Sequence, residues 1–292
     1  MRMFRCAIQV AIAATTLIAC YVLIKSLLYI DNSKTGSISD VYIELPPGIC
    51  LKRYEDMGNM VWSHRAAARA ESPAGSHQSV NKLLLSGITH FDIDISIDGD
   101  VGFNDSMFIV AHPSFFLRKN IESESAKPQT LKAFLTQVYE FCCKTTPVIG
   151  TLVTLEPKFS DENALRAFVK VVADAKLSNN CAIILRAEND VKIVSEISSL
   201  TVAIPLRTSG LIPGEFWNPE TSELKLSNYT GRSVLMPDIK LFRTIPNLVQ
   251  RFGYSENIGW IVDNIADLKL ALDNGATGIY NYFPRHILIM RT

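Results

Sequence analysis

The amino-acid sequence predicts a (β/α)8 TIM-type barrel preceded by an N-terminal transmembrane helix. Three observations carry the barrel. Eight short strand-like runs recur between residues 60 and 282, and most are continuously apolar or β-branched, as strands buried on both faces are. Amphipathic helical patterns stand between several of them, the alternation of a parallel sheet with crossover helices. Polar groups gather at the downstream ends of the early runs, which is the rim where such a barrel carries its site. A doubly wound open sheet is the alternative. It more often places a glycine-rich turn after its first strand, and Ala66-Ala67-Ala68 stands there instead.

The chain begins with an apolar stretch. Residues 6–24 carry only Gln9, Thr15 and Thr16 as polar side chains, and residues 27–30 extend the stretch past Lys25. That matches the ~20 residues a helix needs to cross a bilayer. Arg2 and Arg5 precede it, so the positive-inside rule leaves the N-terminus in the cytoplasm and the rest in the lumen or outside. Residues 1–30 then form a cytoplasmic stub and signal anchor of a single-pass type II membrane protein. A cleaved signal peptide is the rival, with an apolar core of roughly 7–15 residues. Leu17-Ile18-Ala19-Cys20 resembles a bacterial lipoprotein signal, but the apolar Tyr21-Val22-Leu23 follows it. Residues 31–59 read as a linker, in which Pro46-Pro47 favours an extended path.

The barrel is expected over residues 60–292, close to the ~250 residues usual for this architecture. Its strands are expected at 60–64, 90–97, 148–156, 182–186, 202–206, 234–236, 258–262 and 278–282. Helices are expected at 131–141, with apolar residues at 131, 134, 135, 138 and 141, and at 165–172 and 265–272. Asp161 is placed to cap the second of these, and Asn274-Gly275 to stop the third. The hydrophobic fraction of 48% suffices for a full core, and the net charge of +0 gives no basic footprint for nucleic acid. Cys50, Cys142, Cys143 and Cys181 lie beyond the anchor, where disulfides are permitted, and none has metal-finger spacing. Asn104-Asp105-Ser106 and Asn228-Tyr229-Thr230 are glycosylation acceptor patterns that fit a lumenal glycoprotein.

The chemistry-bearing residues end these runs. His64 closes the first strand and is a general acid or base. Arg65 beside it can hold a phosphate through a bidentate contact. Asp92 and Asp94 alternate with Phe91, Ile93 and Ile95, so both carboxylates share one face of the strand and point into the barrel mouth. Like charges there repel unless a cation or base compensates them. His112 ends the run 107–111, stopped by Pro113, as the second proton-transfer group. Glu156 ends the third barrel strand, with Lys158 two residues on. Asp92, Asp94 and Glu156 are the expected ligands of a hard divalent cation, Mg²⁺ or Ca²⁺. Lys158 would neutralise the phosphate or the departing oxygen. Arg186, Glu188 and Arg207 end later runs as further substrate contacts, and Trp260 either walls the pocket or belongs to the core.

Each residue has a bland alternative: a semi-buried histidine, a surface ion pair, a solvent-facing strand edge. Their joint placement at successive strand ends favours a shared site, and the set fits metal-assisted cleavage of a phosphodiester. A glycosidase using paired carboxylates accounts for neither histidine nor for Lys158. Asp98, Asp100 and Asp105 have no EF-hand spacing.

The motifs resemble the glycerophosphodiester phosphodiesterase-like branch of the phospholipase C-like phosphodiesterase superfamily. That branch carries a His-Arg pair after the first strand, Glu-x-Asp on the second, a His after a short hairpin and Glu-x-Lys on the third. The counterparts are His64-Arg65, Asp92-Ile93-Asp94, His112 and Glu156-Pro157-Lys158. Trp260-Ile261-Val262-Asp263, Gly275 and Gly278-Ile279-Tyr280 are similar to its last two barrel units. Asp92 stands where the family usually has Glu, one methylene longer, and Glu71 and Ser76–Ser79 replace its glycine-rich and Glu-Asn-Thr segments. The resemblance implies a phosphodiester hydrolase or transferase acting on a phospholipid-derived head group or a glycerophosphodiester at a membrane. A narrower similarity is to the menorin-domain proteins, through Trp62-Ser63-His64, Ala111-His112-Pro113 and Thr130-Leu131-Lys132-Ala133-Phe134-Leu135. It implies instead a catalytically inactive extracellular interaction module with a protein partner.

Overall fold

The computed structural model describes residues 61–66, 74–85, 88–98, 106–113, 128–185, 188–206, 217–218, 223–224, 231–244, 257–259, 262 and 265–281. The apolar runs become strands β1 (Val61–His64), β2 (His90–Ile97), β3 (Phe108–Val110), β4 (Val153–Pro157), β5 (Cys181–Ile184), β6 (Thr201–Leu206), β7 (Trp217–Asn218), β8 (Glu223–Leu224), β9 (Ser233–Pro237), β10 (Ile258–Gly259) and β11 (Gly278–Asn281). Helices α1 (His77–Leu85), α2 (Leu131–Cys142), α3 (Glu162–Ala173), α4 (Glu188–Ile197), α5 (Ile239–Thr244) and α6 (Ile265–Asp273) lie between them.

The main sheet runs β10-β11-β1-β2-β4-β5-β6-β9, and its neighbours pair in parallel. A parallel bridge from Leu235 to Asn257 joins its two edges, so the sheet is a nearly closed barrel of the TIM type. Strand β3 stands outside the ring and returns antiparallel to β2 as a hairpin. The small β7–β8 ribbon was not foreseen from the sequence.

Alternation along the strands sorts the core into two layers. Phe91, Ile93 and Ile95 of β2 and Val153 and Leu155 of β4 face the helices, in one cluster with Phe134, Leu135, Phe168 and Val169. Trp62, Ala182, Ile184, Ala203, Val234, Met236, Ile258 and Tyr280 form a second cluster inside the ring. Asp92, Asp94, Thr154 and Glu156 occupy the intervening positions of β2 and β4, and all four are buried.

The helix signals hold. Asp161 Oδ1 accepts from Ala164 N at 2.8 Å, capping α3. Thr130 Oγ1 accepts from Ala133 N at 3.2 Å and caps α2, an end that the sequence reading did not mark. Gly275 follows α6 with φ +82°, the left-handed conformation of a helix stop. Leu131, Phe134, Leu135 and Val138 of α2 are buried as expected, but Phe141 on the same stripe is 49% exposed in the last turn.

The third barrel strand begins at Val153 rather than 148. Gly150 adopts φ +104°, which breaks an extended path. The freed carbonyls of Val148 and Gly150 accept from Asn180 Nδ2 at 2.9 and 2.7 Å. Gly75 is constrained more tightly: its φ is +76°, and a Cβ there would lie 2.4 Å from the carbonyl oxygen of Val110. Gly75→Ala is expected to cost at least about 2 kcal/mol, from the left-handed backbone plus the collision. Urea denaturation checks it, and an unchanged midpoint would show that this turn does not hold the hairpin.

Cys142, Cys143 and Cys181 are free thiols. Among the described residues no helix is long and apolar enough to cross a membrane. The expected anchor at 6–30, the linker, Cys50 and both glycosylation patterns from Asn104 and Asn228 lie outside the described residues.

Candidate active site

Parallel register brings the strand-end residues together. His64 lies opposite Asp92 across β1 and β2. Asp94 lies opposite Glu156 across β2 and β4. Neighbouring strands are about 4.8 Å apart, so each pair is within side-chain reach.

Two cations cover the carboxylates. Lys158 Nζ is 2.8 Å from Asp94 Oδ1 and 2.7 Å from Glu156 Oε2. Arg65 Nε is 2.9 Å from Asp94 Oδ2. The Arg65 and Lys158 side chains are 26% and 18% exposed, those of Asp94 and Glu156 only 2% and 5%. Positive charge therefore lies outermost, where an anionic ligand would arrive. The Arg65–Asp94 contact is ionic without hydrogen-bond alignment: both atoms are buried and neither has a hydrogen-bond partner.

Local backbone aims Arg65. Arg65 and Ala66 follow β1 with φ +58° and +49°. Two consecutive non-glycine residues in that region are strained. The turn is held by Ala66 N donating to Asp92 O at 3.1 Å and Ser79 Oγ donating to Ala66 O at 2.8 Å.

His64 Nδ1 is 2.7 Å from Asp92 Oδ2. Thr154 Oγ1 donates to Asp92 Oδ1 at 3.0 Å and lies 2.6 Å from the Tyr280 hydroxyl. Burial pushes the Asp92 carboxyl up, while the hydrogen bond and charge of His64 pull it down. His112 comes from the far side of the hairpin, where Ser96 Oγ donates to Ala111 O at 2.7 Å and steadies the chain. Burial and then the Arg65 charge hold its imidazole below the ordinary value, with Lys158 in the same sense and Asp94 and Glu156 opposing. The charges of all four groups thus reach His112.

The structure thus gathers His64, Arg65, Asp92, Asp94, His112, Glu156 and Lys158 at one rim, but it divides the carboxylates differently from the sequence expectation. Asp92 turns both oxygens to His64 and Thr154. Asp94 and Glu156 face Lys158 instead. Among the described residues no three His, Cys, Asp or Glu side chains converge as a ligand set. The chemistry of Asp94 and Glu156 still suits a hard cation. They offer adjacent carboxylate oxygens, Asp94 Oδ1 and Glu156 Oε2, which now share the Lys158 ammonium. A divalent cation held by these two residues would take the place of the Lys158 ammonium.

Thr154 and Tyr280 escaped the sequence reading. Thr154 shares the inward face of β4 with Glu156, two residues on, which was the available signal. Tyr280 was noted only within a barrel-unit motif, since a tyrosine in an apolar strand reads as core. Arg186, Arg207 and Trp260, and the side chain of Glu188, lie outside the described residues.

No protein-family model and no curated protein matches this chain. Solved structures do. A glycerophosphodiester phosphodiesterase from Parabacteroides distasonis superposes with a TM-score of 0.57 at 18% identity, over 79% of this chain and 96% of that one. A phosphodiesterase from Oleispira antarctica, solved in complex with the product sn-glycerol-3-phosphate, gives 0.54 at 13% identity, over 79% and 96%. A glycerophosphodiester phosphodiesterase from Agrobacterium tumefaciens gives 0.53 at 13% identity, over 79% and 99%. The chain has the glycerophosphodiester phosphodiesterase fold. On that fold the rim described above lies at the C-terminal ends of β1, β2 and β4, the face on which barrels of this class carry their sites. The similarity to menorin-domain proteins rests on sequence motifs alone.

Proposed function

We propose that this protein is a phosphodiesterase acting on a glycerophosphodiester or a phospholipid-derived phosphodiester. The observation that carries the reading is the pairing of two histidines in different environments, His64 against Asp92 and His112 against Arg65, on a rim faced by two cations. Environments that separate two titratable groups assign the acid and the base. His112, kept neutral, takes the proton of the attacking water or substrate hydroxyl as its oxygen bonds to phosphorus. His64, its ring held through Nδ1 by Asp92, gives a proton to the leaving oxygen as that phosphorus–oxygen bond breaks. Arg65 and Lys158 hold the phosphoryl oxygens and balance the charge that develops. When bound by Asp94 and Glu156, a divalent cation supplies Lewis-acid polarisation of a phosphoryl oxygen. The apolar segment at 6–30, with Arg2 and Arg5 before it, supports a membrane-anchored protein whose barrel lies in the lumen or outside the cell.

The test is turnover of a panel of glycerophosphodiesters with Mg²⁺ or Ca²⁺ present, for the parent and His112→Ala. The variant is expected to lose about 10²–10⁴-fold in kcat/KM with an unchanged melting midpoint. A parent protein without turnover above the buffer blank would overturn the reading and leave an interaction module on the same barrel.

A further inference from the structure

We propose that Thr154 and Tyr280 are positioning residues which, through Asp92, lock the His64 ring for proton transfer, so that Asp92 serves His64 and not a metal. The inference deepens the phosphodiesterase reading and rests on it for the chemical role of His64; the hydrogen-bond chain itself does not.

Strand register builds the chain. His64, Asp92 and Thr154 are successive Cα partners across β1, β2 and β4. Tyr280 pairs with Trp62, one inward position below His64 on the other side of β1. Its long side chain therefore reaches up through the barrel interior to Thr154, with its ring centroid 6.3 Å from that of His64.

Proton counting orients the bonds. With the shared proton placed on the His64 imidazole, Asp92 acts as an acceptor only. Thr154 has one hydroxyl proton and gives it to Asp92 Oδ1 at 3.0 Å. At 2.6 Å from Tyr280, Thr154 Oγ1 must then accept the phenol proton. Met236 Sδ, 3.8 Å from the same hydroxyl, is only a weaker second acceptor. Asp92 Oδ2 is left to accept from His64 Nδ1 at 2.7 Å. With the proton held on Nδ1, Nε2 is the ring nitrogen that exchanges protons with substrate. Tyr280, Thr154 and Asp92 are all buried, so water cannot replace a missing member cheaply. The short Asp92 side chain keeps its carboxylate level with His64.

Nitrogen-15 spectra of histidine-labelled protein test this directly, with His64 assigned by its loss in His64→Gln. At a pH where the ring is neutral, the parent is expected to carry its proton on Nδ1. Thr154→Val and Tyr280→Phe should each mix in the Nε2-protonated tautomer, and kcat should fall about tenfold or more with KM little changed. Thr154→Ser should restore both. An Nε2-protonated ring in the parent, or an unchanged tautomer in folded Thr154→Val and Tyr280→Phe, would overturn the proposal. A parent that turns over no phosphodiester yet shows the tautomer response would leave the positioning chain standing and remove only the phosphodiesterase reading.

Discussion

Lys158→Met will destabilise the protein by about 3 kcal/mol, the lower end of what breaking a buried ion pair costs, because the lysine is 18% exposed. The ammonium lies 2.8 Å from Asp94 and 2.7 Å from Glu156. Those carboxylates come from register-matched positions of adjacent strands and are almost fully buried. Methionine keeps much of the stem volume and removes the charge, so the loss isolates the electrostatics. Two buried carboxylates then face each other, with Arg65 remaining on Asp94. A divalent cation should bind in the space vacated. Saturating Ca²⁺ or Mg²⁺ at about 100 times its dissociation constant returns roughly 2.7 kcal/mol, and the parent should gain less because its own lysine competes. Urea denaturation with and without the cation reads both effects. Equal midpoints for parent and variant would mean that Lys158 does not compensate the carboxylates. A variant that is destabilised but not rescued would remove Asp94 and Glu156 as cation ligands.

Phe168→Ala should cost about 3–5 kcal/mol, the range for deleting a buried phenylalanine ring. Phe168 is fully buried on α3. Its ring meets those of Phe108 and Phe159, and these two meet each other, all at centroid distances of 5.8 Å. The triad ties α3 to the β3 hairpin, which leads to His112, and to the residue after Lys158. A cavity here should therefore loosen the rim as well as the core. Phe168→Leu keeps most of the volume and should cost about 1.5 kcal/mol or less. A loss below about 1 kcal/mol for the alanine variant, outside the range for such deletions, would show that the cluster collapses freely and does not brace the hairpin.

Much of this architecture was legible because it is written in local periodicity. Continuous apolar runs of four to eight residues mark strands covered on both faces, and the sheet contains a strand overlapping each of the eight expected runs. Asp161 and Gly275 mark helix ends through bonds and backbone angles that involve only nearby residues. The strand expected from residue 148 was too long because hydrophobicity says nothing of the positive φ at Gly150. Phe141 lies on the apolar stripe of α2 but beyond the part that the barrel covers.

By itself the sequence determined the parallel barrel and the strand ends that carry its polar residues. Only the tertiary structure decided which oxygen serves which nitrogen. Asp92 and Asp94 are equivalent in the strand pattern, yet one meets a histidine 28 residues away and a threonine 62 away, and the other meets Arg65 and Lys158. Register between strands and the left-handed turn at Arg65 separate them. The same register brings Tyr280 within reach of Thr154, 126 residues apart in the chain. Periodicity assigns a face to each residue; a partner on that face is chosen by how distant strands align.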